Sequence, residues 1–307
     1  MKQLIINADD LGLSPAVNSA IVRGAEQGVI TAASLMVNMP FAEDAAAQVK
    51  ATCPNLSLAL HFCLTSGQAV LSPEKIPALV DEKGRFKLGF LGLWRALTPK
   101  TTKTHVLAQV IAELCAQLKR METLAAKYSL CFDHLDSHQH IHVMPWLMQL
   151  FRQEAEERRI TLRIPHENFG DYRRVLRRFA SWFPGGLARK TILDYHLRRA
   201  ERLFGDFGEQ QIGYFGILDT GQVGLAAFRE IVRIIRNDLS GREIFELNIH
   251  PALYDDAPLP HLSPADIAFQ RSPQRQREYE LVNSPEFAIL LAENGIELAS
   301  FAAAVTP

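Results

Sequence analysis

The sequence predicts an α/β fold of barrel type, a single domain spanning residues 1–307. Three observations carry that reading. Short apolar runs alternate with amphipathic stretches, the rhythm of a parallel sheet with crossover helices. Polar residues recur where the apolar runs end, and parallel barrels place their functional groups there. The chain has 307 residues, 48% of them hydrophobic, and no internal repeat or low-complexity linker, so one large core accounts for its length.

Gln3 to Asn7 reads as a short buried strand that stops at Ala8-Asp9-Asp10. A helix follows, with Ser14 as N-cap, Pro15 at its first position and Gly28 as terminator. Ser34 to Val37 reads as a second strand, Ala42 to Thr52 as a second helix, and Leu56 to Phe62 as a third strand that delivers His61. Residues 65–100 are punctuated by Gly and Pro and predict an excursion over the sheet, lining a cleft. Thr104 to Tyr128 reads as a long amphipathic helix and Leu130 to His134 as a strand. Pro145 starts another helix, and Thr161 to Ile164 is a further strand. Residues 168–210 form a second insertion, rich in arginine and accompanied by Phe179, Trp182 and Phe183. A solvated face is the ordinary reading of such a run, and contact with a membrane surface is the rival one. Strands are expected at Tyr214–Leu218, Ile244–Ile249 and Ile296–Leu298, and helices at Leu225–Leu239 and Ser284–Glu293. Residues 252–275 read as loop.

Bulk properties narrow the function. A net charge of -1 gives no reason to expect nucleic acid as a partner. No apolar run reaches the 18 residues of a membrane span, and the apolar segment after Met1 is too short for a signal-peptide core, so a cytoplasmic protein is expected. Cys53, Cys63, Cys115 and Cys131 are scattered and read as buried free thiols. Oligomeric state is left open, a homodimer included.

The stretch that organises the chain is His134-Leu135-Asp136-Ser137-His138-Gln139-His140-Ile141-His142, which holds four of the ten histidines. Imidazole is the commonest side-chain metal ligand, and four histidines with an interleaved acid favour a metal over a polar loop. If the run is extended, Asp136, His138, His140 and His142 share one side. One segment seldom closes a site, and the remaining ligands are sought at other strand ends: Asp9 and Asp10, His61, and His250. Two carboxylates beside several imidazoles suit Zn²⁺ or another first-row ion. One acid of the Asp9-Asp10 pair would bind the ion. The other would take a proton from bound water, whose pKa a metal lowers to roughly 7.

Asn7-Ala8-Asp9-Asp10-Leu11-Gly12, Leu60-His61-Phe62-Cys63-Leu64-Thr65 and the histidine run resemble the YdjC-like carbohydrate deacetylases, which include the chitooligosaccharide deacetylases. Leu162-Arg163-Ile164-Pro165 and Glu246-Leu247-Asn248-Ile249-His250-Pro251 match more weakly. The resemblance implies an irregular (β/α) barrel of TIM-like type and one divalent metal, zinc or magnesium. It implies Asp10, His61 and His138 as metal ligands, Asp9 as the base that activates bound water, and His250 as general acid. Arg163 would orient groups around Asp9. Asp136, His140 and His142 would stand behind the ligands or face substrate. The implied reaction removes an N-acetyl group from an amino sugar. Residues 213–221 and the basic insertion are more similar to the hopanoid-biosynthesis-associated branch, which implies a lipid-linked sugar in place of a soluble oligosaccharide. Another metallohydrolase on the same barrel, such as a phosphodiesterase or amidohydrolase, and a metal- or sugar-binding protein without turnover are the competing readings.

Overall fold

A computed structural model describes residues 1–98, 103–167, 184–205 and 212–304. Eight strands form one sheet: β1 (Lys2–Leu11), β2 (Ala32–Leu35), β3 (Ser57–Phe62), β4 (Phe132–Ser137), β5 (Thr161–Leu162), β6 (Ile212–Phe215), β7 (Ile244–Ile249) and β8 (Ile296–Leu298). Seven run in the order β5-β4-β3-β2-β1-β7-β6, and β8 pairs with β1. Every pairing between these strands is parallel. The sheet curls into a half-barrel clothed by helices, the α/β barrel-type fold expected.

β1 is the spine, and it is buried from Leu4 onward because strands and helices cover both of its faces. It runs longer than its apolar centre suggests. Asp9 and Asp10 belong to the strand and do not follow it. Between Ala8 and Leu11 the register with β2 shifts, and Asp10 sits at φ 72°. A bulge of this kind re-aims a side chain, so two consecutive acids reach one side of the sheet although a regular strand would separate them. Gly12 follows at φ 92°, where an added Cβ would stand 3.1 Å from the Ala42 backbone and 3.2 Å from the Met36 carbonyl.

Ser14 caps the helix Pro15–Glu26 through its hydroxyl, as its position before Pro15 predicts. The helix Ala42–Thr52 has the expected bounds. The excursion after β3 is held from beneath by the helix Lys103–Tyr128. Gln117 takes up both backbone groups of Cys63, and Glu113 accepts the N–H groups of Val70 and Leu71 at 2.8 and 3.0 Å. The excursion includes a helix, Phe90–Leu97, which its glycines and prolines concealed.

Three expectations change. Residues 252–275 are not all loop. They hold the helix Pro264–Gln270 and the start of the helix Pro273–Val282, each opened by a serine and a proline. The histidine run is not extended: β4 ends at Ser137 and the chain turns through a 3-10 segment with Gln139 at φ 56° and His140 at φ 54°. Asp136, His138, His140 and His142 therefore do not share a side. All four cysteines are free, but only Cys53 and Cys63 are buried, while Cys115 and Cys131 are exposed. Of the basic insertion, Arg173, Arg174, Arg177, Arg178, Phe179, Trp182 and Phe183 lie outside the described residues. Its later part is the helix Pro184–Phe204.

Candidate active site

The carboxyl ends of β1, β3, β4 and β7 meet at the floor of a cavity of about 500 Å³. Asp9, His61, His138, His140 and His250 face it, and Phe90, Leu91, Ile192, Leu193 and Phe269 form apolar walls. Asp10, His61 and His138 each turn one donor atom inward, and the three atoms lie within 4.8 Å of one another. His138 Nδ1 is 3.0 Å and His61 Nε2 3.6 Å from Asp10 Oδ1. These side chains come from three elements, and register brings them together: the β1 bulge aims Asp10, β3 carries His61, and the turn after β4 swings His138 back over the strand ends.

The donor set suits a divalent ion. It is one carboxylate oxygen and two imidazole nitrogens, the three-ligand pattern of catalytic zinc. His61 is prepared for that duty. It faces Asp136 across the β3–β4 ladder, and its Nδ1 lies 2.7 Å from Asp136 Oδ1, which leaves Nε2 for the site. Burial alone would push the His61 pKa down, but the carboxylates of Asp136, Asp9 and Asp10 outweigh it and raise the pKa to about 9. Burial likewise opposes ionisation of Asp10, and His138 and Arg275 override it, holding that acid well below its usual range. The pocket thus favours positive charge between its acids.

Asp9, His61 and Asp136 form a second convergent group. Its acids are already neutralised by a cation of the chain. Arg163 is fully buried, and its Nη1 lies 3.0 Å from Asp9 Oδ1 and 2.5 Å from Asp136 Oδ2, with Nη2 2.7 Å from Glu246. Arg275 likewise meets Asp10, but only at Oδ2, so Asp10 Oδ1 stays open to a cation and the Asp10 group is the better site.

Asp9 is fixed by three donors. Asn7 Nδ2 reaches Oδ1 at 2.8 Å, Asn248 Nδ2 reaches Oδ2 at 2.9 Å, and Arg163 donates to both oxygens. His250 Nε2 stands 3.8 Å from Asp9 Oδ2. Burial pushes the His250 pKa down to about 4 despite the pull of Asp9 and Asp10, so its ring is neutral at pH 7 in the free protein.

The other three histidines of the run separate. His140 lines the cavity, with Nε2 3.5 Å from the Tyr214 hydroxyl. His142 faces inward, bonded to Ser137 Oγ and to the Arg163 carbonyl, and burial pushes it down to about 4. It holds the backbone that carries Arg163 and does not line the cavity. His134 bonds to Asp133 and Asn7 and stacks on Phe301, a structural placement.

Several residues at the site had no role in the sequence reading. Asn7, Asn248 and Glu246 lie within matched motifs, and strand alternation from Asp9 and His250 could have singled them out. Ser34, which donates to Asp136 Oδ2 at 2.6 Å, carried no signal. Nor did Arg275, whose Nη1 donates to Asp10 Oδ2 at 3.0 Å, or Glu278, which accepts the His250 N–H at 2.6 Å.

Known proteins resemble this chain over most of its length. A carbohydrate deacetylase of Geobacillus stearothermophilus is 30% identical over 300 residues, covering 97% of this chain and 96% of the relative. A chitooligosaccharide deacetylase of Serratia marcescens is 27% identical, with 98% of both chains covered. A carbohydrate deacetylase of Thermoanaerobacter pseudethanolicus is 35% identical, but over 163 residues, 53% of this chain and 60% of the relative. A solved structure from Enterococcus faecalis V583, provisionally called a cellobiose-phosphate cleavage protein, superposes with a TM-score of 0.68 over 98% of both chains at 24% identity, which shows a common fold. The YdjC-like protein family matches residues 3–293, and the chain belongs to that family.

Proposed function

We propose that this protein is a metal-dependent carbohydrate N-deacetylase that hydrolyses an N-acetyl group on an amino sugar, releasing acetate and the free amine. The observation that carries the reading is Asp9: a carboxylate fixed by three donors, facing the cavity, beside a three-ligand group it does not need to join. The names of the deacetylase relatives support the same reaction class.

Asp10, His61 and His138 would hold the ion, zinc rather than magnesium by the preference of imidazole. When bound, the ion would polarise the acetyl carbonyl and acidify water. The remaining work falls to the chain. Asp9 accepts the proton of the attacking water, with Asn7, Asn248 and Arg163 keeping its carboxylate aimed. Water adds to the acetyl carbon and the C–N bond breaks. His250, neutral in the free protein and 3.8 Å from Asp9, is placed to receive that proton and pass it to the departing amine. Asp136 keeps His61 in the tautomer that presents Nε2.

The apolar walls formed by Phe90, Leu91, Ile192 and Leu193 suit a sugar whose aglycone is lipid-like, and the same cavity has room for an oligosaccharide. Contact with a membrane surface fits the helix Pro184–Phe204, which exposes Leu187, Tyr195 and Leu203 beside Arg198, Arg199 and Arg202. Work in the cytoplasm fits the four free cysteines. No helix among the described residues is long and apolar enough to cross a membrane.

The test is acetate release from a panel of soluble and lipid-linked N-acetyl sugars, with a phosphodiester arm and metal content measured on the same sample. Acetate release that disappears on chelation and returns with zinc is expected. Turnover of phosphodiesters alone would replace this reading with another metallohydrolase.

A further inference from the structure

The helix Pro273–Val282 turns two fully buried charged side chains toward the site, Arg275 and Glu278, one helical turn apart. Glu278 accepts the backbone N–H of His250 at 2.6 Å and that of Val223 at 2.9 Å. Arg275 donates through Nη1 to Asp10 Oδ2 at 3.0 Å, and its guanidinium lies 5.1 Å from the centre of the Phe269 ring. Among the described residues its Nε and Nη2 have no hydrogen-bond partner. A buried arginine with one carboxylate contact is an expensive arrangement unless the contact has a purpose.

The two oxygens of Asp10 are divided. Oδ1 faces His138 and His61, and Oδ2 faces Arg275. We propose that Arg275 is a positioning residue that reserves Oδ2 of Asp10, so that a metal takes this carboxylate through Oδ1 alone. This inference rests on the metal reading given above and deepens it. It has an electrostatic consequence. A fixed guanidinium behind the ligand cancels much of the Asp10 charge, which weakens the hold on the ion and leaves the ion more strongly electron-withdrawing. Glu278 on the same helix face ties His250 to the same support.

The experiment is calorimetric titration of chelator-stripped full-length protein with Zn²⁺ or Mn²⁺ alone, on native protein, Arg275→Lys and Arg275→Gln, each titrated well below its own cooperative melting transition. Arg275→Gln keeps a donor and drops the charge, and zinc is expected to bind it about tenfold more tightly than native protein. Arg275→Lys keeps the charge and should bind like native. A merely structural role predicts weaker binding in both variants, and that order would overturn the inference. Zinc-edge X-ray absorption on the native protein needs no variant: one carboxylate oxygen on the ion is expected, and a bidentate carboxylate overturns the proposal. If native protein binds neither ion, the metal reading itself falls. Reversed affinities would sink only the role of Arg275.

Discussion

Arg163 donates through Nη1 to both carboxylate oxygens of Asp9, at 3.0 and 3.2 Å, from a position with no solvent access. The same guanidinium meets Asp136 and Glu246. Burial raises the Glu246 pKa to about 7 against the pull of Arg163, so this acid is only partly ionised near neutral pH even with the arginine beside it. Replacing Arg163 by Met leaves buried acids without their cation. A loss of about 3–5 kcal/mol of folding stability is expected, read from urea unfolding midpoints. A loss below about 1 kcal/mol would mean that the acids are compensated in another way.

Asp9→Asn separates the base from the ion site. Asn keeps the shape but has one acceptor oxygen where Asp9 has two, so it can accept from only one of Asn7 and Asn248, and it cannot take a proton. Acetate release should fall about 10²- to 10⁴-fold. Zinc content should stay at the native level, because the Asp10, His61 and His138 group does not include Asp9. Loss of zinc in this variant would place Asp9 among the ligands.

His250→Ala tests the proton route to the leaving group. An N-acetyl sugar leaves as an amine that needs a proton, whereas an aryl acetate leaves as a phenolate that does not. The variant should lose about 100-fold or more on the amide and far less on the ester. Equal losses on both would assign His250 to substrate binding or to shaping the cavity.

Much of this site was legible in the sequence because strand ends are legible. β3, β7 and the helix Ala42–Thr52 lie within one residue of where apolar runs and capping residues put them. Asp9, Asp10, His61 and His250 announce themselves by chemistry at those ends, and the histidine run does so as a group, within which the family resemblance singles out His138. The bulge at Asp10 and the turn at Gln139 and His140 could not be read in this way. They are backbone states of positive φ adopted by residues other than glycine, and the surrounding structure imposes them. Arg275 and Glu278 were hidden for a different reason. They are charged residues in a helix of low apolar content, and their burial follows only from where that helix docks.

His61 makes the last prediction, a difference between metal-free and zinc-loaded protein. In the metal-free protein its pKa is raised to about 9, against an ordinary 6.5 when unfolded. A raised histidine stabilises the fold fully below about pH 6.5, and the contribution is lost as pH climbs through about 9. The amount at stake is about 3 kcal/mol. With zinc on Nε2 the proton has been displaced, and this source of pH dependence disappears. Melting curves at pH 6.5, 7.5, 8.5 and 9.5 should therefore show metal-free protein weakening across this window while zinc-loaded protein holds. Apparent zinc affinity should rise about tenfold per pH unit over the same range, as one proton is exchanged for the ion. Parallel melting curves and a flat affinity would mean that His61 is not the residue that trades its proton for the metal.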